Sequence, residues 1–207
     1  LSGPIFTWKE IIDLMIPGVL DSLSIMFIMM LITALISSNG ETSVAAVALV
    51  SPITGLINCM FNGIASGGSV VVAQSVGRKD PAQIQRSIGN ALVLTVGVGV
   101  AICAPFLMSP FGILHTLYPT AEEDVMRKAM IFLSGSIWST LPFTVFQACF
   151  NILRGLGESK RCLVLSIIIN VAYLLLSILF LNVLHMDILG SCLALILART
   201  IGAVCAV

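Results

Sequence analysis

The sequence predicts an all-α membrane protein, a bundle of six transmembrane helices, on three observations. Hydrophobic residues make up 58% of the 207 and charged residues 10%, with a mean hydropathy of +1.09, whereas soluble domains carry roughly a quarter charged residues. The apolar residues gather into runs of about 20 or more, the length that crosses a bilayer. Only short polar connections separate these runs. No soluble core hides that much apolar surface. In hydrocarbon the backbone must satisfy its own hydrogen bonds, so each run is expected to be helical. Barrel strands would alternate over about 10 residues, and these runs do not.

In chain order the runs cover 11–37, 44–76, 87–114, 129–153 and 162–184, and a sixth starts at Ile188 and is still apolar at Val207. The second is about 33 residues long, roughly 50 Å as a helix against about 30 Å of hydrocarbon, so it must tilt, kink near Pro52 or project into water. Along it Gly55, Cys59, Gly63 and Gly67 recur every fourth residue, a small-residue stripe expected to let another helix approach closely. Pro17, Pro52, Pro105 and Pro142 are kink candidates. The connections carry turn and cap residues: Ser38-Asn39-Gly40-Glu41, Arg78-Lys79-Asp80-Pro81, Tyr118-Pro119-Thr120, Gly155-Leu156-Gly157-Glu158-Ser159 and His185-Met186-Asp187. All are short, so consecutive helices run antiparallel. The first residue is Leu1, no signal-peptide pattern follows it, and the last run is still open, so the chain reads as a fragment cut at both ends.

Charge sets the expected orientation. Lys9, Arg78, Lys79, Arg86, Arg154, Lys160 and Arg161 fall on one side of the implied membrane, and only Arg127 and Lys128 on the other, beside Glu122, Glu123 and Asp124. The positive-inside rule makes the amino terminus cytoplasmic, and six spans return the carboxyl terminus to the same side. Trp8, Lys9, Glu10 and Asp13 read as interfacial anchors. Ten Lys and Arg balance ten Asp and Glu, in short patches, which argues against a nucleic-acid partner.

Neutral polar residues then mark three faces. Asn58, Asn62 and Ser66 form a row on the second run; Ser136, Thr140, Gln147 and Asn151 on the fourth; Ser166, Asn170, Tyr173 and Ser177 on the fifth, all at three- or four-residue steps. Such groups can simply glue helices together. Three polar faces in one bundle also fit a shared, partly hydrated interior, which makes Asn58, Asn62, Gln147, Asn151, Asn170, Tyr173 and Ser177 the candidate substrate-cavity residues. Two ionisable residues fall near mid-depth, Asp21 on the first run and Arg199 on the sixth. Charges there are costly, and they pair, face the interior or lie on ion pathways. An Asp21–Arg199 interaction is the expectation, either a structural pair with Arg199 snorkelling or a device for ion or proton coupling.

Enzyme signatures are missing, and no catalytic residue or metal site is expected. His115 and His185 lie at the predicted outer face, no His/Glu cluster offers metal ligands, and neither a G-x-S-x-G elbow nor a Walker-type glycine loop occurs. The six cysteines form no C-x-x-C pair and read as small core hydrophobes. Without a nucleotide site, any energy coupling has to use an ion gradient or another chain.

Three segments resemble a known family. Val44-Ala45-Ala46-Val47-Ala48-Leu49-Val50-Ser51-Pro52, followed by Gly67-Gly68-Ser69-Val70-Val71-Val72-Ala73-Gln74-Ser75-Val76-Gly77-Arg78-Lys79-Asp80, resembles the second helix and following loop of the multidrug and toxic compound extrusion (MATE) family. Asn151-Ile152-Leu153-Arg154-Gly155-Leu156-Gly157-Glu158-Ser159-Lys160 is similar to that family's loop between helices four and five, and Met186-Asp187-Ile188-Leu189-Gly190-Ser191 to the start of its helix six. The resemblance implies that residues 1–207 are the amino-terminal lobe of a twelve-helix transporter whose carboxyl-terminal lobe lies outside this sequence. It further implies antiport of organic, often cationic or amphipathic compounds against sodium ions or protons, no other cofactor, and a prokaryotic cell membrane as location. Many members carry acids in the outer half of helix one and in helix five, where this chain has Leu31-Ile32-Thr33-Ala34 and Ser177. Cation handling would then rest on Asp21, on the other lobe, or on neither. Two rival functions stand beside this one. A flippase for lipid-linked saccharides would need a strongly basic cavity, and a non-transporting scaffold would not need three polar faces.

Overall fold

The computed structural model describes residues 8–37, 40–78, 81–108 and 110–206. The anchor side chains of Trp8, Lys9, Glu10 and Asp13, and Ser38, Asn39, Lys79 and Asp80 of the connections, lie outside what is described. The described residues form helices α1 (Trp8–Ser37), α2 (Glu41–Gly77), α3 (Pro81–Met108), α4 (Pro110–Leu117), α5 (Glu123–Gly155), α6 (Ser159–Ser177, continued as a π-helical turn over Ile178–Val183) and α7 (Asp187–Ala206). Six of these, all but α4, are long and apolar enough to span a membrane. The sequence treated 87–114 as one run. Two prolines divide the segment differently: Pro81 opens α3 six residues before that run begins, and Pro110 opens the separate α4. Proline's missing N–H and fixed φ suit the first helical position.

The helix α2 has 37 residues, about 55 Å at 1.5 Å per residue, and carries Pro52 without leaving the α-helical conformation. It is the longest of the set and extends beyond the hydrocarbon thickness. At the C-terminal end of α6 the backbone widens: the Leu184 amide donates to the Leu179 carbonyl, a five-residue step, and His185 follows at φ 49.

The central helix is α5. It packs against α2, α3 and α7, while α6 packs against α7 and α1. Its buried residues, apolar and polar, are not confined to one stripe, as suits a helix that neighbours cover on several sides. The main core joins Val50, Ile57 and Phe61 of α2 to Ala129, Leu133 and Ile137 of α5, with Cys103 of α3 and Cys192 of α7. A smaller cluster sets Ile28, Ile32 and Ile36 of α1 against Leu181 of the π turn.

Close helix approaches occur at glycines other than those the sequence singled out. A Cβ built on Gly135 would stand 2.6 Å from Cys192 Cβ, one on Gly99 2.5 Å from Thr144 Cγ2, and one on Gly202 2.6 Å from Ile169 Cδ1. By contrast, nothing lies within 4 Å of a Cβ at Gly55, Gly63 or Gly67. The α2 stripe is therefore not a packing seam within this bundle; it faces outward along with exposed Cys59. Cys205 is exposed too, whereas Cys103, Cys162 and Cys192 are buried as expected.

At one end the helices are tied by ions. Lys128 Nζ of α5 meets Asp187 Oδ2 at the start of α7 at 2.6 Å and donates to Ser43 Oγ and Thr42 Oγ1 of α2; Ser43 Oγ in turn donates to Asp187 Oδ1 at 2.6 Å. At the opposite, basic end the link between α2 and α3 is a 2.7 Å hydrogen bond joining Ser75 and Ser87.

Candidate functional site

Between these two ends a string of cavities runs along the bundle. The largest of the three, about 440 Å³, is bounded by α1, α2, α5, α6 and α7 and lined by Asp21, Asn58, Asn62, Gln147, Asn170 and Arg199 among its polar groups. A second of about 190 Å³ lies toward the α1–α2 connection and holds Thr33, Ser51, Thr54, Ser136 and Thr140. A third of about 150 Å³ lies at the basic end between Gly18, Asp21, Arg154 and Ser159. Asn58, Tyr173 and Arg199 border both the first and the second. Asp21 and Arg154 border both the first and the third.

Each polar side chain reaches this interior from an amphipathic position of its helix. Asn62 is the hinge of the row on α2: its Nδ2 donates to the Asn58 carbonyl and its Oδ1 accepts from Gln147 Nε2 at 2.7 Å, tying α2 to α5. On α6, Asn170 Nδ2 donates to the Ser166 carbonyl and Oγ. These bonds spend the donors on the helices; Asn58 and Tyr173 stand at the cavity junction. Apolar walls complete the space. Phe143, Phe146 and Phe150 form a row on α5, with ring centroids 6.0 and 5.6 Å apart in sequence.

Two of the seven cavity residues expected from the sequence lie elsewhere. Asn151 is buried, donates to the Gln147 carbonyl of its own helix at 2.9 Å and lines none of the three spaces. Because α5 has neighbours on several sides, sharing a face with Gln147 does not bring Asn151 to the cavity. Ser177 is fully buried beside the π turn, and its Oγ has no hydrogen-bond partner among the described residues.

The expected Asp21–Arg199 contact is also absent among the described residues. Arg199 Nη1 donates to Ser139 Oγ of α5 at 2.9 Å, and its guanidinium carbon stands 4.3 Å from the centroid of the Phe143 ring. Ser139 passes the bond on to the Ser136 carbonyl at 2.6 Å. Asp21 is buried, and its Oδ1 has no hydrogen-bond partner among the described residues. Equal depth did not ensure contact, because α1 touches α7 only marginally while α5 lies directly against it. Both charges nevertheless face the same 440 Å³ space. Residues the sequence reading passed over are Arg154, stacked 5.3 Å over Phe150, and the α5 phenylalanine row. The three- and four-residue spacing of those rings was the available signal.

Membrane-length helices around a polar-lined interior define a polytopic α-helical membrane protein. Comparison with known proteins makes this specific. The profile of the MatE family matches residues 17–180, and the chain belongs to that family. It is 27% identical to a probable multidrug resistance protein YoeA of Bacillus subtilis, over 76% of this chain and 37% of that protein. It is 20% identical to a probable multidrug resistance protein NorM of Listeria monocytogenes, over 77% and 35%. Among solved structures, the outward-facing conformation of a multidrug resistance MATE family transporter of the MOP superfamily superposes with a TM-score of 0.89 at 20% identity, covering 96% of this chain and 44% of that one. A MOP superfamily transporter from Pyrococcus furiosus, reported with a reversed polarity of its binding pocket, gives 0.84 at 21% identity, covering 96% and 43%. These structural likenesses establish the fold. The chain spans about a third of the curated relatives it matches and under half of the solved chains.

Proposed function

We propose that this chain is the amino-terminal lobe of a secondary active transporter that exports amphipathic organic compounds from the cell in exchange for sodium ions or protons. The observation that carries this reading is the string of cavities from one end of the bundle to the other, lined by neutral polar groups, an aromatic wall and two deep charges. Family membership and the names of the relatives support it. The basic end, with Arg78, Arg154, Lys160 and Arg161, faces the cytoplasm, so both ends of this segment are cytoplasmic. A second lobe of the same protein completes the pathway, and alternating access moves one lobe against the other about the central site.

Within this lobe Asp21 handles the coupling ion. Its carboxylate carries a buried oxygen without a partner among the described residues and borders the two cavities nearer the cytoplasm, so a proton or sodium ion can reach it from that side. The test is flux of a fluorescent amphipathic dye by the full-length protein in liposomes, under sodium and proton gradients imposed separately. Dye movement driven by one gradient, and lost in a normally folded Asp21→Asn variant, is expected. Flux by that variant equal to wild type would remove Asp21 from coupling, and no flux under either gradient would remove the antiport reading.

A further inference from the structure

Resting on that transport reading, we propose that the substrates carry an anionic group on an apolar body and that Arg199 is the residue that receives it. The charge of Arg199 is balanced by no carboxylate: among the described residues its guanidinium meets only the Ser139 hydroxyl and the face of Phe143, both neutral. It sits about 18 Å along α7 from Asp187, a depth at which an unpaired charge is retained only where water or a ligand solvates it. It borders both the 440 Å³ and the 190 Å³ spaces, so a solute in either meets it. A guanidinium already oriented by one hydroxyl and one ring keeps its remaining N–H donors fixed, and it receives carboxylate, sulfonate or phosphate better than a mobile ammonium does.

The surrounding charges point the same way. The 440 Å³ cavity is lined by two cations, Arg154 and Arg199, against one anion, Asp21. Asp21 and Arg154 share the recess at the basic end, which leaves Arg199 as the uncompensated charge of the central region. The apolar part of the lining is Met29, Ile169, Leu195 and the Phe143–Phe146–Phe150 row, which fits an aromatic or aliphatic body rather than a fully hydrated anion. Tyr173 and Asn58, at the junction, supply neutral hydrogen bonds that orient the head group without adding charge.

The experiment uses the full-length protein and two radiolabelled probes of matched shape, 1-naphthylacetate and 1-naphthylmethyltrimethylammonium. Binding is measured by equilibrium dialysis in detergent, and flux in liposomes. Wild type is expected to bind the anion at least about 10-fold more tightly than the cation, the scale of one charge-assisted hydrogen bond. Arg199→Gln should cost the anion about 10-fold or more and leave cation binding unchanged, and Arg199→Lys should restore much of the loss. A preference for the cation, or an equal loss of both probes in Arg199→Gln, would overturn the proposal. If Arg199→Gln does not fold, the wild-type preference and the Arg199→Lys variant decide. The same chemistry also occurs in lipids, so dioctanoyl phosphatidate is added as a competitor. Displacement by phosphatidate at lower concentration than by free naphthylacetate assigns the site to a headgroup, the reverse order assigns it to soluble organic acids, and displacement by neither overturns it. Anion binding without flux under any gradient would remove the transport reading and leave this site; cation flux without anion binding would do the opposite.

Discussion

Replacing Gly135 by alanine tests the helix crossing that positions Arg199. A Cβ there would lie 2.6 Å from Cys192 Cβ and 2.7 Å from Cys192 Sγ, about 1 Å inside ordinary carbon and sulfur contact. Both atoms belong to a short, stiff side chain on α7, so relief requires α5 and α7 to part. Overpacking of this kind costs about 1–3 kcal/mol, and replacing a helical glycine by alanine returns about 0.5–1, leaving a net loss of roughly 0.5–2 kcal/mol. For a chain of this size that lowers Tm by about 1–8 °C. Thermal unfolding of the detergent-solubilised protein, followed by size-exclusion chromatography of heated samples, reads the shift. Cys192→Gly removes both offending atoms, so the double variant should lose less than the two single losses added together, with a coupling of about 1 kcal/mol or more. Strict additivity, or a Gly135→Ala variant as stable as wild type, would refute the close approach.

Three other expectations follow from named contacts. Lys128→Met removes the ion pair from Asp187 and should destabilise by about 1 kcal/mol; because Asp187 is partly exposed, the loss should shrink in high salt, measured by the same thermal assay. A double-mutant cycle of Asn62→Leu and Gln147→Leu should return a coupling near 0.6 kcal/mol and no more than about 2, and a coupling of zero would deny the α2–α5 hydrogen bond. Tyr173→Phe keeps the ring that borders both cavities and removes only the hydroxyl, so substrate affinity should fall several-fold with folded yield unchanged; equal affinity would take the hydroxyl out of the site.

The six spans, their order and most of the interior residues were legible because membrane helices announce themselves by length and because amides in hydrocarbon are rare enough to mark a face. Asn58, Asn62, Gln147, Asn170 and Tyr173 all line the cavity that their spacing implied. What was not legible depends on rotation about the helix axis and on which neighbour lies where. Ser177 follows the period of Ser166, Asn170 and Tyr173, yet it is enclosed where α6 gives way to the π turn. Asp21 and Arg199 share a depth, but α5 presents Ser139 and Phe143 to the arginine before α1 can reach it. The glycine stripe on α2 had the right spacing for a seam, and only the placement of the neighbouring helices shows that tight crossings fall on Gly99, Gly135, Gly155 and Gly202 instead.

Transport through this lobe requires a hydrated cavity within the bundle that substrate enters. Single cysteines placed at Asn170 and at Ser177, in a full-length protein cleared of its native cysteines, test that with a membrane-impermeant thiol reagent applied from either side. The cysteine at position 170 should label and be protected by a transported compound, while the one at 177, enclosed by packing, should stay unlabelled. Equal protection of both positions in the absence of any compound, or labelling at 170 that no compound slows, would contradict it.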